Sequence, residues 1–120
     1  MRGQAPKGED IYIASLSSGI VAALRLSPVG NNFLLRSMCV ATDLRKLGIG
    51  SYLLDQIQSE LADINCYCFP YSHLQNFYTS AGFALIETES APEAIRDKFQ
   101  RYINNGKDIC LMKHHQTMVE

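Results

Sequence analysis

The chain has no surplus of charge. Its 120 residues carry 11 Lys and Arg against 12 Asp and Glu, a formal net charge of −1 at pH 7. Proteins that hold nucleic acid through its phosphates spread a basic field over their surface. A nucleic-acid reading built on Arg36, Arg45 and Lys46 lacks the basic stripe it would need, so the partner is expected to be small or held by a local patch. Long apolar runs are missing too: none approaches the roughly 20 residues that cross a bilayer. The polar opening "MRGQAPKGED" lacks the apolar core of a signal peptide. A soluble, cytoplasmic protein with no membrane partner is expected. Cysteine is sparse, with four residues and no second Cys/His pair at zinc-finger spacing. Cys39 and Cys110 stand in apolar, strand-like runs, where a thiol acts as a small buried hydrophobe. Cys66 and Cys68 share one face of a strand. Free thiols are expected, with no disulfide and no metal.

What remains is ordinary globular material. A hydrophobic fraction of 47% suits one compact core, and the length suits one domain over residues 1–120, with a polar segment at 1–9 and a tail from His114. There are no internal repeats and no long linker. "DIYIASL" (Asp10 to Leu16) and "IVAALRLSPV" read as two strands joined by the turn signal "SSG". "FLLRSMCVA" (Phe33 to Ala41) follows the turn "GNN" as a third strand.

The period then changes. Leu53, Leu54, Ile57 and Leu61 recur at helical spacing, predicting an amphipathic helix from about Gly48 to Ala62. "INCYCF" is a fourth strand, stopped by Pro70. Ser72 and Gln75 make a capping box ahead of a short helix carrying Leu74, Phe77, Tyr78 and Ala81, which Gly82 closes. "FALIE" is a strand. Ser90 and Glu93 make a second capping box, with Pro92 in the first turn of a helix carrying Ile95, Phe99, Tyr102 and Ile103. "DICLMK" is the last strand, and the tail from His114 is expected to fray. A helix between two strands predicts one parallel pair. The class is α+β: a mixed, mostly antiparallel sheet with helices on its faces.

"TDLRKLGIGSYLL", Thr42 to Leu54, places two glycines where the long helix begins, although glycine costs a helix about 1 kcal/mol relative to alanine. A helix N-terminus presents unpaired N–H groups and partial positive charge. Small residues let a phosphate approach those groups. Gly48 and Gly50, with Arg45 and Lys46 beside them, read as a pyrophosphate cradle. The stretch has neither the G-x-x-x-x-G-K-[ST] of a P-loop nor the third glycine of a dinucleotide fingerprint, where Leu53 stands. A tight strand-to-helix turn, with glycine merely avoiding a clash, is the other reading.

"VATDLRKLGIGSYLL" resembles motif A of the GCN5-related N-acetyltransferases, the GNAT superfamily. Arg45, Gly48 and Gly50 meet the pattern [RQ]-x-x-G-x-[GA], and Val40 matches the hydrophobic residue at the end of the preceding strand. "NFYTSAGF", Asn76 to Phe83, looks like the family's second marker. The resemblance implies that the strands flanking motif A splay apart and that the pantetheine arm of acetyl-CoA lies between them, against Met38, Cys39 and Val40. Its pyrophosphate would rest on backbone N–H groups of Arg45, Lys46, Leu47, Gly48, Ile49, Gly50 and Ser51. The implied chemistry is direct attack of a primary amine on the thioester, with no metal. Tyr78 matches the family's tyrosine that protonates the departing thiolate, although it also lies on the apolar stripe of its helix and reads equally as a core aromatic.

The chain departs from the family's pattern in two places. Its third strand carries Arg36 and Ser37 where many members have an acidic residue, so no general base is visible; His73 reads as solvated. Members usually open with a strand and one or two helices, and here about ten polar residues precede Ile11. A shortened domain with an exposed sheet edge or groove is expected, and with it a homodimer. The alternative function is a non-catalytic GNAT-like module that binds acetyl-CoA or regulates.

Overall fold

Three alternating apolar segments open the chain and pair as an antiparallel meander. In a computed structural model, residues 2–4, 10–17, 19–40 and 48–115 are described, with backbone alone for 2–4 and for Ser37. β1 (Arg2–Gln4), β2 (Asp10–Leu16), β3 (Gly19–Val29) and β4 (Asn32–Val40) lead into α1 (Ile49–Gln56) and α2 (Gln58–Ala62). β5 (Cys66–Cys68), α3 (Gln75–Ser80), β6 (Phe83–Leu85), α4 (Glu93–Asn104) and β7 (Met112–His114) complete the chain. The seven strands form one sheet in the order β1-β2-β3-β4-β5-β7-β6. β4 and β5 are parallel, and every other pair is antiparallel.

β1 is a strand where only a polar segment was expected. Arg2 to Gln4 pair with Tyr12 to Asp10, so this edge of β2 is covered. Three polar residues carry no alternation from which to read a strand.

Alternation along the sheet separates two cores. On one face Leu24, Leu26, Leu35, Cys66, Cys68 and Met112 meet Leu53, Leu54, Ile57 and Leu61 of α1–α2 and Tyr78 of α3. On the other, Leu34, Tyr67 and Leu111 meet Ile95 and Phe99 of α4. β5 is buried on both faces, as expected of a strand with β4 on one side, β7 on the other and helices packed over each face of the sheet. The predicted long helix is broken at Ile57, whose N–H bonds to the carbonyl of Leu54 three residues back. All four of its expected apolar positions are nevertheless buried.

Neither capping box forms. Ser72 begins a 3₁₀ turn, and its hydroxyl donates to the Asp108 carboxylate at 2.8 Å. Ser90 lies in another 3₁₀ turn, and Pro92 is the N-cap of α4. In both places a tertiary or local turn bond replaces the cap. The last strand is shifted along the chain. Asp108 to Leu111 run beside Pro70 and Tyr71, joined by Cys110 N–H to Pro70 O at 2.9 Å and by an Ile109–Tyr71 bridge. The strand itself begins at Met112 and includes His114.

His114 corrects the expectation of a frayed tail, because it is 3% exposed. Its Nε2 lies 2.9 Å from Gln58 Oε1. The Gln58 amide nitrogen donates to the carbonyls of Leu54 and Ala81 at 3.1 and 3.0 Å, so its oxygen must face the imidazole and Nε2 must carry the hydrogen. Nδ1 is then bare and buried, with no partner among the described residues. A second proton there would have no acceptor, and burial, reinforced by His115, lowers the His114 pKa from its ordinary 6.5. The unfolded chain therefore binds more protons than the folded one below that value. Unfolding free energy measured in urea is expected to be level above about pH 6.5 and to fall as the pH drops below it. In a His114→Gln variant that fall should be shallower; an unchanged slope would mean that His114 does not set it.

Candidate functional site

The parallel pairing of β4 with β5 is brief. Phe33, Leu34 and Leu35 lie opposite Cys66, Tyr67 and Cys68, and beyond Leu35 the remainder of β4 pairs, among the described strands, with β3 and no longer with β5. There β4 also carries a bulge. Arg25 pairs with Arg36 and Ala23 with Cys39, so Leu24 alone stands opposite both Ser37 and Met38. A bulge leaves one residue out of the ladder and re-aims those that follow. Its effect on parity is visible. Leu35, Met38 and Val40 all pack on the α1 face, which strict alternation from Leu35 would not allow. Cys39 is thereby turned outward and is exposed, correcting its expected burial.

α1 begins beside this half of β4, which β5 has left. Its N-cap, Gly48, is exposed at φ 77°, in the left-handed region, and no side chain caps the helix. A β-carbon at Gly48 would meet nothing within 4 Å, so the glycine serves the backbone turn and leaves the helix end open. Ile49, Gly50 and Ser51 are the first-turn residues, and the first bond closing the turn is Tyr52 N–H to Gly48 O at 2.9 Å. Gly50 has a different role. A β-carbon there would lie 3.1 Å from Met38 Cε, 3.2 Å from Phe77 Cζ and 3.4 Å from Val40 Cγ2. It is buried because α1 presses its first turn against β4 and α3. One glycine makes the turn, and the other lets the helix close on the strand.

A cavity of about 540 Å³ occupies the gap. β4 contributes Leu34, Leu35, Arg36 and Met38 to its wall, and the chain from β5 onward contributes Cys68, Phe69, Pro70 and Tyr71. Tyr78 lines it from α3. The Tyr78 ring packs edge-on against Phe77 and Phe83, with centroids 5.0 and 5.9 Å away, so the residue is both a core aromatic and a wall of the cavity. Burial raises its pKa, and Cys68 adds in the same sense; the hydroxyl keeps its proton and can donate it. Burial likewise pushes Cys66 up to about 12 and raises Cys68 and Cys110. These are inert thiols, and all four cysteines are free.

The sequence from residue 7 to 85 matches the family model described as an acetyltransferase (GNAT) domain. The chain belongs to the GNAT acetyltransferases. No curated protein matches it. Among solved structures it is similar to N-acetylglutamate synthase from Neisseria gonorrhoeae, complexed with coenzyme A and N-acetyl-glutamate, at a TM-score of 0.70 and 13% identity. That alignment covers 97% of this chain but 29% of the synthase. It is also similar to a GNAT acetyltransferase from Staphylococcus aureus (TM-score 0.67, 21% identity, 91% of this chain and 68% of that one). A GNAT acetyltransferase from Elizabethkingia anophelis with acetyl-CoA bound gives 0.65 and 15% identity, over 89% of this chain and 76% of that one. At these identities the likeness is one of fold.

Of the residues expected at the cofactor of this GNAT domain, Met38 lines the cavity; Cys39 and Val40 follow it on β4, and Gly48, Ile49, Gly50 and Ser51 form the start of α1 beside that strand, outside the cavity's described lining. Arg45, Lys46 and Leu47 fall outside the described residues. Tyr71 lines the cavity, whereas Ser72 is bonded to Asp108. His73 is exposed and stacks on Tyr71. Sequence reading missed Lys107 and Tyr102 as parts of the cavity wall; no motif marks either, because the folding of α4 brings them there. Met38 can bend away, but Phe77 and Val40 are stiffer side chains held between α1, α3 and β4, so Gly50→Val is expected to lower stability by roughly 1–3 kcal/mol while far-ultraviolet circular dichroism stays native. A Gly50→Val protein as stable as the parent would refute the close approach.

Proposed function

We propose that this chain transfers an acetyl group from acetyl-CoA to a primary amine by direct attack. The observation that carries the reading is the coincidence, at one place, of a half-strand released by its parallel partner, an uncapped helix N-terminus and a protonated, buried tyrosine. Extended backbone whose edge toward β5 is no longer paired to that strand suits a pantetheine arm, which carries amides able to pair as a strand would. The arm would run along Met38, Cys39 and Val40. The open turn at Gly48 and the first N–H groups of α1, from Ile49 to Ser51, suit its pyrophosphate, with Arg45, Lys46 and Leu47 assigned to the same cradle.

The neutral amine attacks the thioester carbonyl, the C–S bond breaks, and the nitrogen loses its extra proton as the amide forms. The residue left out of the β4 ladder offers a backbone N–H for the oxyanion. Tyr78 gives its proton to the departing sulfur and is reprotonated from the amine nitrogen or from water. Among the described residues lining the cavity there is no Asp, Glu or His, and in this reading the acceptor loses its first proton to water. That same feature favours a second reading, a GNAT-like module that binds acetyl-CoA without turning it over.

Thermal unfolding with acetyl-CoA tests the cradle. At 100 times the dissociation constant a ligand adds about 2.7 kcal/mol, a shift of several degrees. Gly48→Asn, which tolerates the left-handed turn, should keep this shift, and Gly48→Glu should lose it by placing an anion where the pyrophosphate belongs. An equal shift in both variants would refute the assignment.

Tyr78→Phe keeps the ring and removes the proton. Acetyl-CoA binding should persist while kcat falls by about 10²- to 10⁴-fold. An unchanged kcat would return Tyr78 to a packing role, and binding without any turnover by the parent chain would select the second reading.

A further inference from the structure

The cavity passes from one face of the sheet to the other. Leu35, Met38, Cys68 and Tyr78 belong to the α1 face. Leu34, Phe69 and Ile109 belong to the α4 face. Arg36 follows Leu34 by two residues ahead of the bulge, so it shares the α4 face. There it meets the end of α4 and the loop beyond it, since Tyr102 and Lys107 line the same cavity. Among the described residues the two cations in the cavity wall are Arg36 and Lys107, and no described carboxylate lines it with them. The nearest acidic neighbour in sequence, Asp108, accepts the Ser72 hydroxyl at 2.8 Å.

Two further observations make this cationic end unusual. Arg36 lies directly opposite Arg25 in the β3–β4 ladder, an arrangement of like charges that weakens a strand pair. Arg25 has interactions of its own. The side chain of Arg36, half-buried, makes no hydrogen bond or ion pair among the described residues. A partly desolvated guanidinium with a cationic neighbour and no counter-charge is costly unless an anion completes it. A guanidinium fork is suited to a carboxylate. The uncapped N-terminus of α1 lies on the opposite face, so an anion there does not neutralise Arg36.

We infer that the acceptor is a small amine that carries a carboxylate, an amino-acid-like molecule entering from the α4 face. Its anion is held by Arg36 with Lys107 at the mouth, and its amine is directed to the gap that Tyr78 lines. The inference rests on the acetyl-transfer reading, but the subsite it names is independent of acetyl-CoA. No group other than the acetyl is transferred, and the bonds made and broken are those given above.

The test uses the full chain, with free amino acids and their carboxamides as matched acceptors and acetyl-CoA as donor. A free amino acid should be acetylated with a kcat/KM roughly 10- to 100-fold above that of its carboxamide. Arg36→Gln should remove this preference through KM for the amine and leave acetyl-CoA affinity intact. Lys107→Glu, on an exposed loop position where folding is not at stake, should favour the carboxamide. Equal use of the two acceptors overturns the inference, as does turnover confined to amines or peptides lacking a nearby carboxylate, or a loss of acetyl-CoA affinity in Arg36→Gln. The Arg36 Nε resonance, followed as amino acid is added without acetyl-CoA, separates the two readings. Movement of that signal in a chain that fails to bind acetyl-CoA keeps the subsite and removes acetyl transfer. An unmoved signal overturns the subsite.

Discussion

Backbone hydrogen-bonding groups inside a protein must find partners, and β4 is allowed to break its pairing halfway. Three residue pairs join it to β5, after which the strands part. The rest of the molecule follows from that interruption. β3 holds the outer half of β4 from the far side, the bulge resets which side chains meet α1, and α1 presses its first turn onto the strand through Gly50. The gap is thus bounded by β4, the chain that follows β5, and α3. An acyl-transfer site needs such a place: open backbone for a ligand, held by elements that do not move to fill it.

The second half of the sheet is built from short strands and relies on side chains and single backbone bonds. β5 and β7 share two residue pairs. What secures this region is the buried contact of His114 with Gln58, whose amide also takes the carbonyls at the end of α1 and of α3. The same contact ties α2 to β7, and through α3 it steadies Tyr78. A neutral imidazole is required there because its other nitrogen is buried without an acceptor. Stability and the placement of the proposed acid therefore share one polar cluster.

Much of the fold was legible in advance. The meander, the parallel pair, the three helical regions and their apolar faces follow from period and turn residues, which act locally. The markers at Arg45, Gly48 and Gly50 and from Asn76 to Phe83 pointed to the family before any coordinate. The failures have a common cause. Ser72 and Ser90 have the residue types of caps, but their bonds are taken by a loop or a turn. Cys39 has the neighbours of a core residue, but a bulge turns it out. His114 follows the last obvious apolar run, and only its meeting with Gln58, 56 residues earlier, buries it. At Gly50 the structure adds a reason for glycine that the sequence did not offer: a β-carbon there would crowd Met38 and Phe77.

The sequence by itself determined the class of the protein, because alternation, helical period and glycine at a helix entrance are properties of neighbouring residues and survive without a partner. Tertiary structure decided what the gap is made of. Arg36, Lys107, Tyr102 and Tyr78 are far apart along the chain and line one cavity only after α4 and the loop beyond it fold against the parted strands. Which cations face one another, and which lack an anion, depends on distance in space, and no local pattern records that.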